Sequence, residues 1–314
     1  MGKPRPSFMR YSLESRFRGT IIGAFLGGLA SGSKEQPKIW HEIALLGVES
    51  LITTSQLNLD DWICRQQREF PHLDTRDGVS LKAIIATLPV TLFYFDDPVK
   101  LRQNLICAIA IWERDLVVRD GTLAVSYAIA KSLTEKLDIK TLIPQIIDFI
   151  GETPTKIPQS LLKVNSLLLE GAGLERVQQS LSREEKLSKA VAMAFYCFMS
   201  TLEDFRLSIL RATDNSDALS PATGAITGAL SGAYNSLTSI PVSWQMKLSS
   251  PHLATSRLSN RKQMIELADV LVAVWSGAYD LTPYALYLQQ EGCAMSDKQG
   301  TLCVSAAPRV IRLR

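Results

Sequence analysis

The sequence predicts an all-α protein, a compact multi-helix bundle. Three observations carry that expectation. Apolar residues recur at helical spacing, as at Leu187, Ala190, Val191, Ala194, Phe195 and Phe198. Helix-start signals punctuate the chain, the clearest being Asp97-Pro98, an N-cap followed by proline at the first helical position. Two helix-length runs also carry glycine at every fourth residue: Gly19, Gly23 and Gly27 in FRGTIIGAFLGG, and Gly224, Gly228 and Gly232 in TGAITGALSGAY. A glycine inside a helix costs about 1 kcal/mol relative to alanine. Residues four apart share a helix face. With hydrogen in place of a methyl there, two helices approach more closely than the usual spacing of about 8–10 Å. Two such stripes predict one tightly packed central pair.

The elements follow in order. The first glycine run is the first helix. KIWHEIALLGVESLI is the second, with His41 and Glu42 in its first turn. Asn58, ahead of Leu59-Asp60-Asp61, caps a third. Helical runs then lie at 81–93, from Pro98 through Leu105 and Ile111, and at 123–133, 139–150 and 159–170. Ser182 and Glu185 have capping-box spacing before the run at Leu187. Another helix spans 202–210. Ser220-Pro221 reads as N-cap and first-turn proline of the second glycine run, and 263–275 is the final helix. Loops fall at 31–37, 71–78, 151–158 and 249–259, and 302–313 is the only candidate for extended structure. No loop is long or biased enough to be a linker, and there is no internal repeat. The expectation is one domain over 1–314, with short flexible basic tails at about 1–11 and 300–314.

Composition narrows the class. Apolar residues make up 46% and charged residues 21% of 314, as in an ordinary globular protein that buries a sizeable core. A net charge of +3 is too small to argue for nucleic acid as a partner. Lys3, Arg5 and Arg10 at one end, and Arg309, Arg312 and Arg314 at the other, read as solvated tails; the sharper alternative is a dock for an acidic surface. The cysteines (Cys64, Cys107, Cys197, Cys293, Cys303) are odd in number and lack metal-ligand spacing, which argues against a disulfide framework or a zinc site. Cys107 and Cys197 read as core. A reducing cytoplasm fits this usage. The apolar run at 20–30 is too short to span a bilayer, so no membrane is expected.

The run from Thr223 to Tyr234, followed by Ile240, Pro241 and Trp244, resembles the C-terminal signature of the ADP-ribosylglycohydrolase family, which includes the dinitrogenase reductase-activating glycohydrolases. Asn215 stands where the family's Asn stands. Arg16 and Gly19 resemble the family's opening Arg-x-x-Gly helix, and Ala86 to Pro89 resemble its middle segment. The resemblance covers roughly 16–244. It implies an all-helical bundle of the ADP-ribosylglycohydrolase type and a cleft in which carboxylates hold two divalent cations.

The ligand positions depart from that pattern. In the same register the two aspartates of the family's Asp-x-Asp fall on Leu219 and Pro221, and its Ser/Thr falls on Ala222. The aspartate after the first glycine helix falls on Gly28. The family's Thr-Asp-Asp falls on Lys38, Ile39 and Trp40. No Thr-His pair follows the middle segment; Trp112 to Asp115 (WERD) stand there. Hard divalent cations need several oxygen ligands, and these residues do not supply them.

The resulting expectation is a non-catalytic relative that binds a protein or an ADP-ribose-like ligand without metal. Its cleft would involve Trp40, His41, Asp214, Asn215, Leu219, Ser220, Pro221 and Thr223. The N-terminus of the second glycine helix would present free backbone N–H groups to an anion, less the one that Pro221 removes. The alternative is a glycohydrolase that cleaves an N- or O-glycosidic ADP-ribose bond at a rebuilt site of His41, Glu42, Asp214 and Asp217. Glu42 and Asp217 would then be its catalytic candidates, with Mg or Mn as cofactor. A third reading is a structural subunit of a larger assembly. The three histidines, His41, His72 and His252, select no nucleophilic triad.

Overall fold

A computed structural model describes residues 10–30, 37–71, 80–112, 114–214, 220–248 and 260–278. Among them lie α1 (Leu13–Ala30), α2 (Pro37–Thr54), α3 (Leu59–Glu69), α4 (Ser80–Ala86), α5 (Leu88–Phe93), α6 (Pro98–Ile109), α7 (Leu116–Leu133), α8 (Ile139–Ile150), α9 (Ile157–Leu169), α10 (Leu174–Ser180), α11 (Lys186–Ser200), α12 (Phe205–Thr213), α13 (Ser220–Asn235), α14 (Val242–Lys247) and α15 (Arg261–Trp275). A short 3₁₀ turn at Leu237–Ser239 precedes α14, and the described residues contain no strand. The all-α bundle is as predicted.

The two glycine runs are α1 and α13, and they form the central pair. They run antiparallel, with Gly19 against Gly232, Gly23 against Gly228 and Gly27 against Gly224. A Cβ added to any of the six would fall within 3.0 Å of the opposing glycine's carbonyl oxygen. The backbones therefore touch directly along three turns, close enough for Cα–H···O contacts. The intrinsic cost of these glycines in a helix is offset by that contact. Around the pair, α15 and α2 pack on α1, while α7, α11 and α12 pack on α13.

Arg16 fixes one end of α1. Its guanidinium donates to the Ser132 carbonyl at the end of α7 and to the Glu135 carboxylate just beyond. Burial lowers the pKa of Arg16 despite the opposing pull of Glu135. Glu135 also accepts the Arg10 backbone N–H at 3.1 Å, so residues 10 and 16 are tied to one acid. Arg18 makes a second long-range link, a two-pronged ion pair with Asp269 of α15 at 2.5 and 2.7 Å. The remainder of the expected basic tails, at 1–9 and 300–314, lies outside the described residues.

The main apolar core runs from Phe17 on α1 to Val272 on α15. A smaller cluster joins α9, α10, α11 and α12 through Val164, Val177, Met193, Tyr196, Cys197 and Ala212. Helix α11 lies between the two and is buried on both sides, which explains its nearly continuous apolar sequence.

Helix starts follow local chemistry. Asn58, Asp97, Asp115, Asp138 and Asp204 each accept a backbone N–H of the turn that follows them. Two of these caps correct the sequence-based boundaries. Helix α7 begins at Leu116 rather than 123, because Asp115 caps it and the polar residues Asp120 and Thr122 are buried within it. Helix α12 begins at Phe205 rather than 202, because Asp204 takes the Leu207 N–H at 2.9 Å. The expected helix at 81–93 breaks at Thr87, where Pro89 enters the first turn of α5 without an N–H to give.

The capping box at Ser182 and Glu185 does not form. Glu185 is the N-cap residue of α11 without a side-chain cap bond, and the Ser182 hydroxyl turns back to the Gln179 carbonyl at 2.7 Å. Cys107 is exposed, not core, because Leu101, Leu105 and Ala108 take the buried face of α6; Cys197 is buried as expected. The expected loops at 31–36, 72–78 and 249–259 and the extended candidate at 302–313 lie outside the described residues.

Candidate functional site

The antiparallel pair brings the C-terminal end of α1, with Gly27 and Gly28, beside the N-terminal end of α13, with Thr223 and Gly224. Helix α2 packs on α1 and carries Ile39, Trp40, His41 and Glu42 near its start. Of these, Gly28, Ile39 and Trp40 stand at positions where the resemblance places the family's motif residues.

Trp40 is buried at 4% exposure and meets the edge of Trp112, with centroids 6.1 Å apart and planes at 79°. Trp112 in turn meets Trp62 of α3 at 5.2 Å and 82°. The polar edges are satisfied: the Trp112 indole N–H donates to Gln66 Oε1 at 2.9 Å, and that of Trp62 donates to the Ile43 carbonyl at 3.0 Å. Gly47, one turn beyond Ile43, lets the Trp62 ring lie against α2; a Cβ there would collide with the indole. Edge-to-face aromatic pairs contribute about 0.5–1.5 kcal/mol each beyond their burial. Trp40 and Trp112 thus pack against each other as buried rings.

His41 and Glu42 are both buried. His41 meets the edge of Phe25 of α1 at 5.1 Å, in the wall of a cavity of about 20 Å³ lined also by Ile21, Leu45, Pro89 and Met264. A cavity of this size admits about one water molecule, and its apolar lining offers few partners for one. Glu42 is only 4% exposed. Asp214 is the exposed C-cap residue of α12. Asn215, Asp217 and Leu219 lie outside the described residues, as does the Ser220 side chain. Pro221 and Ala222 are half-buried in the first turn of α13, and Thr223 is buried. Helix α13 starts at Ser220, one residue earlier than a Ser220 N-cap requires.

The fit to a pair of divalent cations is poor. Gly28, Ile39, Trp40, Pro221 and Ala222 carry no side-chain oxygen. Among the described residues no group of three or more His, Cys, Asp or Glu side chains is placed to hold a metal ion.

Sequence reasoning missed a different polar centre. Asp120 is fully buried on α7, and its carboxylate accepts Thr153 at 2.5 Å, Thr155 at 2.6 Å and Arg119 at 2.8 Å. This network fastens the 151–156 connection to α7 and leaves the acid inaccessible. A lone acid inside LVVRDGTLAVSYAI was the available signal. The Ile-Pro-x-x-Trp element also has a structural role. Ile240 is buried, Trp244 meets Phe205 of α12 at 6.3 Å, and the Gln245 amide donates to the Ile240 carbonyl at 2.8 Å.

Comparison with known proteins agrees with this architecture. The family model for ADP-ribosylglycohydrolase matches residues 9–280. A solved structure of an ADP-ribosylglycohydrolase-related protein complex superposes with a TM-score of 0.62 at 17% identity, over 83% of this chain and 98% of that one. At that identity the likeness speaks for the fold alone. Comparison with curated proteins finds no match. A match to the family model across most of the chain, on the all-helical frame built around the glycine pair, shows that the chain belongs to the ADP-ribosylglycohydrolase family.

Proposed function

We propose that this member works by binding rather than by metal-dependent hydrolysis, and that it engages a protein partner or an ADP-ribose-like ligand through the surface around α2 and the start of α13. The observation that supports this most directly is the Trp40–Trp112 contact. A site that still held cations would need oxygen at the first of those positions. Here, burial of two indoles stabilises the same place. Family membership alone does not supply activity.

Free thiols at Cys64 and Cys107 support a reducing compartment, the cytoplasm. No described helix is long and apolar enough to cross a membrane. With a net charge of +3, nucleic acid is not the expected partner.

Calorimetric titration with Mg²⁺ and with Mn²⁺, in the presence and absence of ADP-ribose, tests the proposal. No saturable metal binding is expected in either case. Tight metal binding, or release of ADP-ribose from a modified substrate that Glu42→Ala or Asp217→Ala abolishes, would establish the rebuilt hydrolase instead.

A further inference from the structure

A groove of about 620 Å³ lies among α8, α9, α11 and α12, lined by none of the residues assigned to the α2 and α13 surface. Its size falls in the range of small-molecule sites, about 300–1,000 Å³. One part of the wall is apolar, with Ile139, Leu168, Leu169 and Met199. Two cations, Lys140 and Arg211, also line it, and none of its lining residues is acidic.

Arg211 is held ready. Its guanidinium carbon stands 5.3 Å from the Tyr196 ring centroid, and its Nη2 donates to the Tyr196 hydroxyl at 2.9 Å. That hydroxyl donates onward to the Ala172 carbonyl at 2.8 Å, and Tyr196 itself is 1% exposed. The tyrosine is therefore a fixed post, and the guanidinium is positioned by stacking and one hydrogen bond.

Among the described residues, Arg211 keeps most of its donors free at the groove wall. Arg16 pairs with Glu135, Arg18 with Asp269, and Arg65 with Asp61 and Glu49, while Arg102 spends two of its donors on the Phe149 and Ile150 carbonyls and Arg261 spends two on Gln245. Among the described residues no carboxylate pairs with Arg211. A guanidinium has five N–H donors in a fork that matches a carboxylate or a phosphate. One is engaged here. The nearest acid in sequence to Lys140 is Asp138, whose carboxylate is committed to capping α8.

We propose that this groove binds a small organic anion, a phosphate or carboxylate carried on an apolar body. Arg211 takes the anionic head, Lys140 adds charge at the rim, and Leu168 and Leu169 take the apolar part. The site is independent of the reading given to the α2 and α13 surface.

Phenyl phosphate and benzoate are the probes, titrated separately and followed by protein-observed NMR, with benzyl alcohol as the neutral control. Saturable binding of at least one anion is expected, with shifts centred on Tyr196, Ser200 and Gly171; the stronger of the two identifies the head group. Arg211→Gln should weaken it on the order of tenfold, the loss of one charge-assisted hydrogen bond. Leu169→Glu, at a site 80% exposed and therefore safe for folding, should weaken it roughly threefold by like-charge repulsion. The proposal is overturned by no saturation with either anion, by equal binding of benzyl alcohol, or by binding that Leu169→Glu and a folded Arg211→Gln both leave unchanged.

Discussion

The α1–α13 seam and the Trp40–Trp112–Trp62 cluster are both tight helix contacts, built in opposite ways. The seam is made by removing side chains: six glycines let two backbones touch. The cluster is made by adding the largest ones, with ring edges set against ring faces. The seam answers to backbone geometry and leaves no room for substitution. The cluster includes Trp40, a position where the resemblance implies a motif carboxylate, and there it presents a buried indole.

The largest test strikes the cluster. Trp112→Ala removes a buried indole that touches two others and leaves Gln66 without its donor, so a loss of about 4 kcal/mol is expected in urea unfolding. Trp40→Asp sharpens the same point. It should cost stability without creating saturable Mg²⁺ binding, since one carboxylate cannot replace a ligand set. A gain of metal binding would show that the cluster conceals a working site.

The next test strikes the seam. Gly228→Ala would be favourable by about 1 kcal/mol in an isolated helix. Here the new methyl meets the Gly23 carbonyl, and a net loss of roughly 2 kcal/mol is expected. Gly173→Ala, where a Cβ would meet nothing within 4 Å, is the control and should stay within about 0.5 kcal/mol of the parent. Equal thermal midpoints for the two variants would remove the claim of backbone contact.

The smallest effect lies in neither region. Burial in the smaller apolar cluster pushes the Cys197 thiol from 9.0 up to about 12. The folded state keeps its proton after the unfolded state has lost it. The contribution of this thiol to stability is therefore intact below about pH 9 and is lost as pH rises towards 12. By pH 10 the loss should be on the order of 1 kcal/mol, absent in Cys197→Ala, as measured by denaturant midpoints from pH 7 to 10.

The two regions also differ in how far the sequence disclosed them. The seam was legible because a four-residue period is a local pattern, and its antiparallel partner has the same period. The lack of a metal-binding set among the described residues was legible only through the family resemblance. The cluster was not: Trp40, Trp62 and Trp112 lie far apart in the chain, and nothing local says that their rings meet. Asp120 was missed for the same reason, since Thr153 and Thr155 reach it from more than thirty residues away. Helix ends were misread where a cap, Asp115 or Asp204, outweighed the apolar pattern.

The spacing of the glycines has a last consequence, for length changes. Each residue turns a helix by about 100°. Deleting one residue between Gly224 and Gly232 would swing part of the stripe away from α1 and put bulky neighbours in its place. Sliding the two helices by a full turn would still align two of the three pairs. The pairing behaves like a vernier scale with whole-turn graduations, so drift between these helices should come in jumps of four residues or not at all.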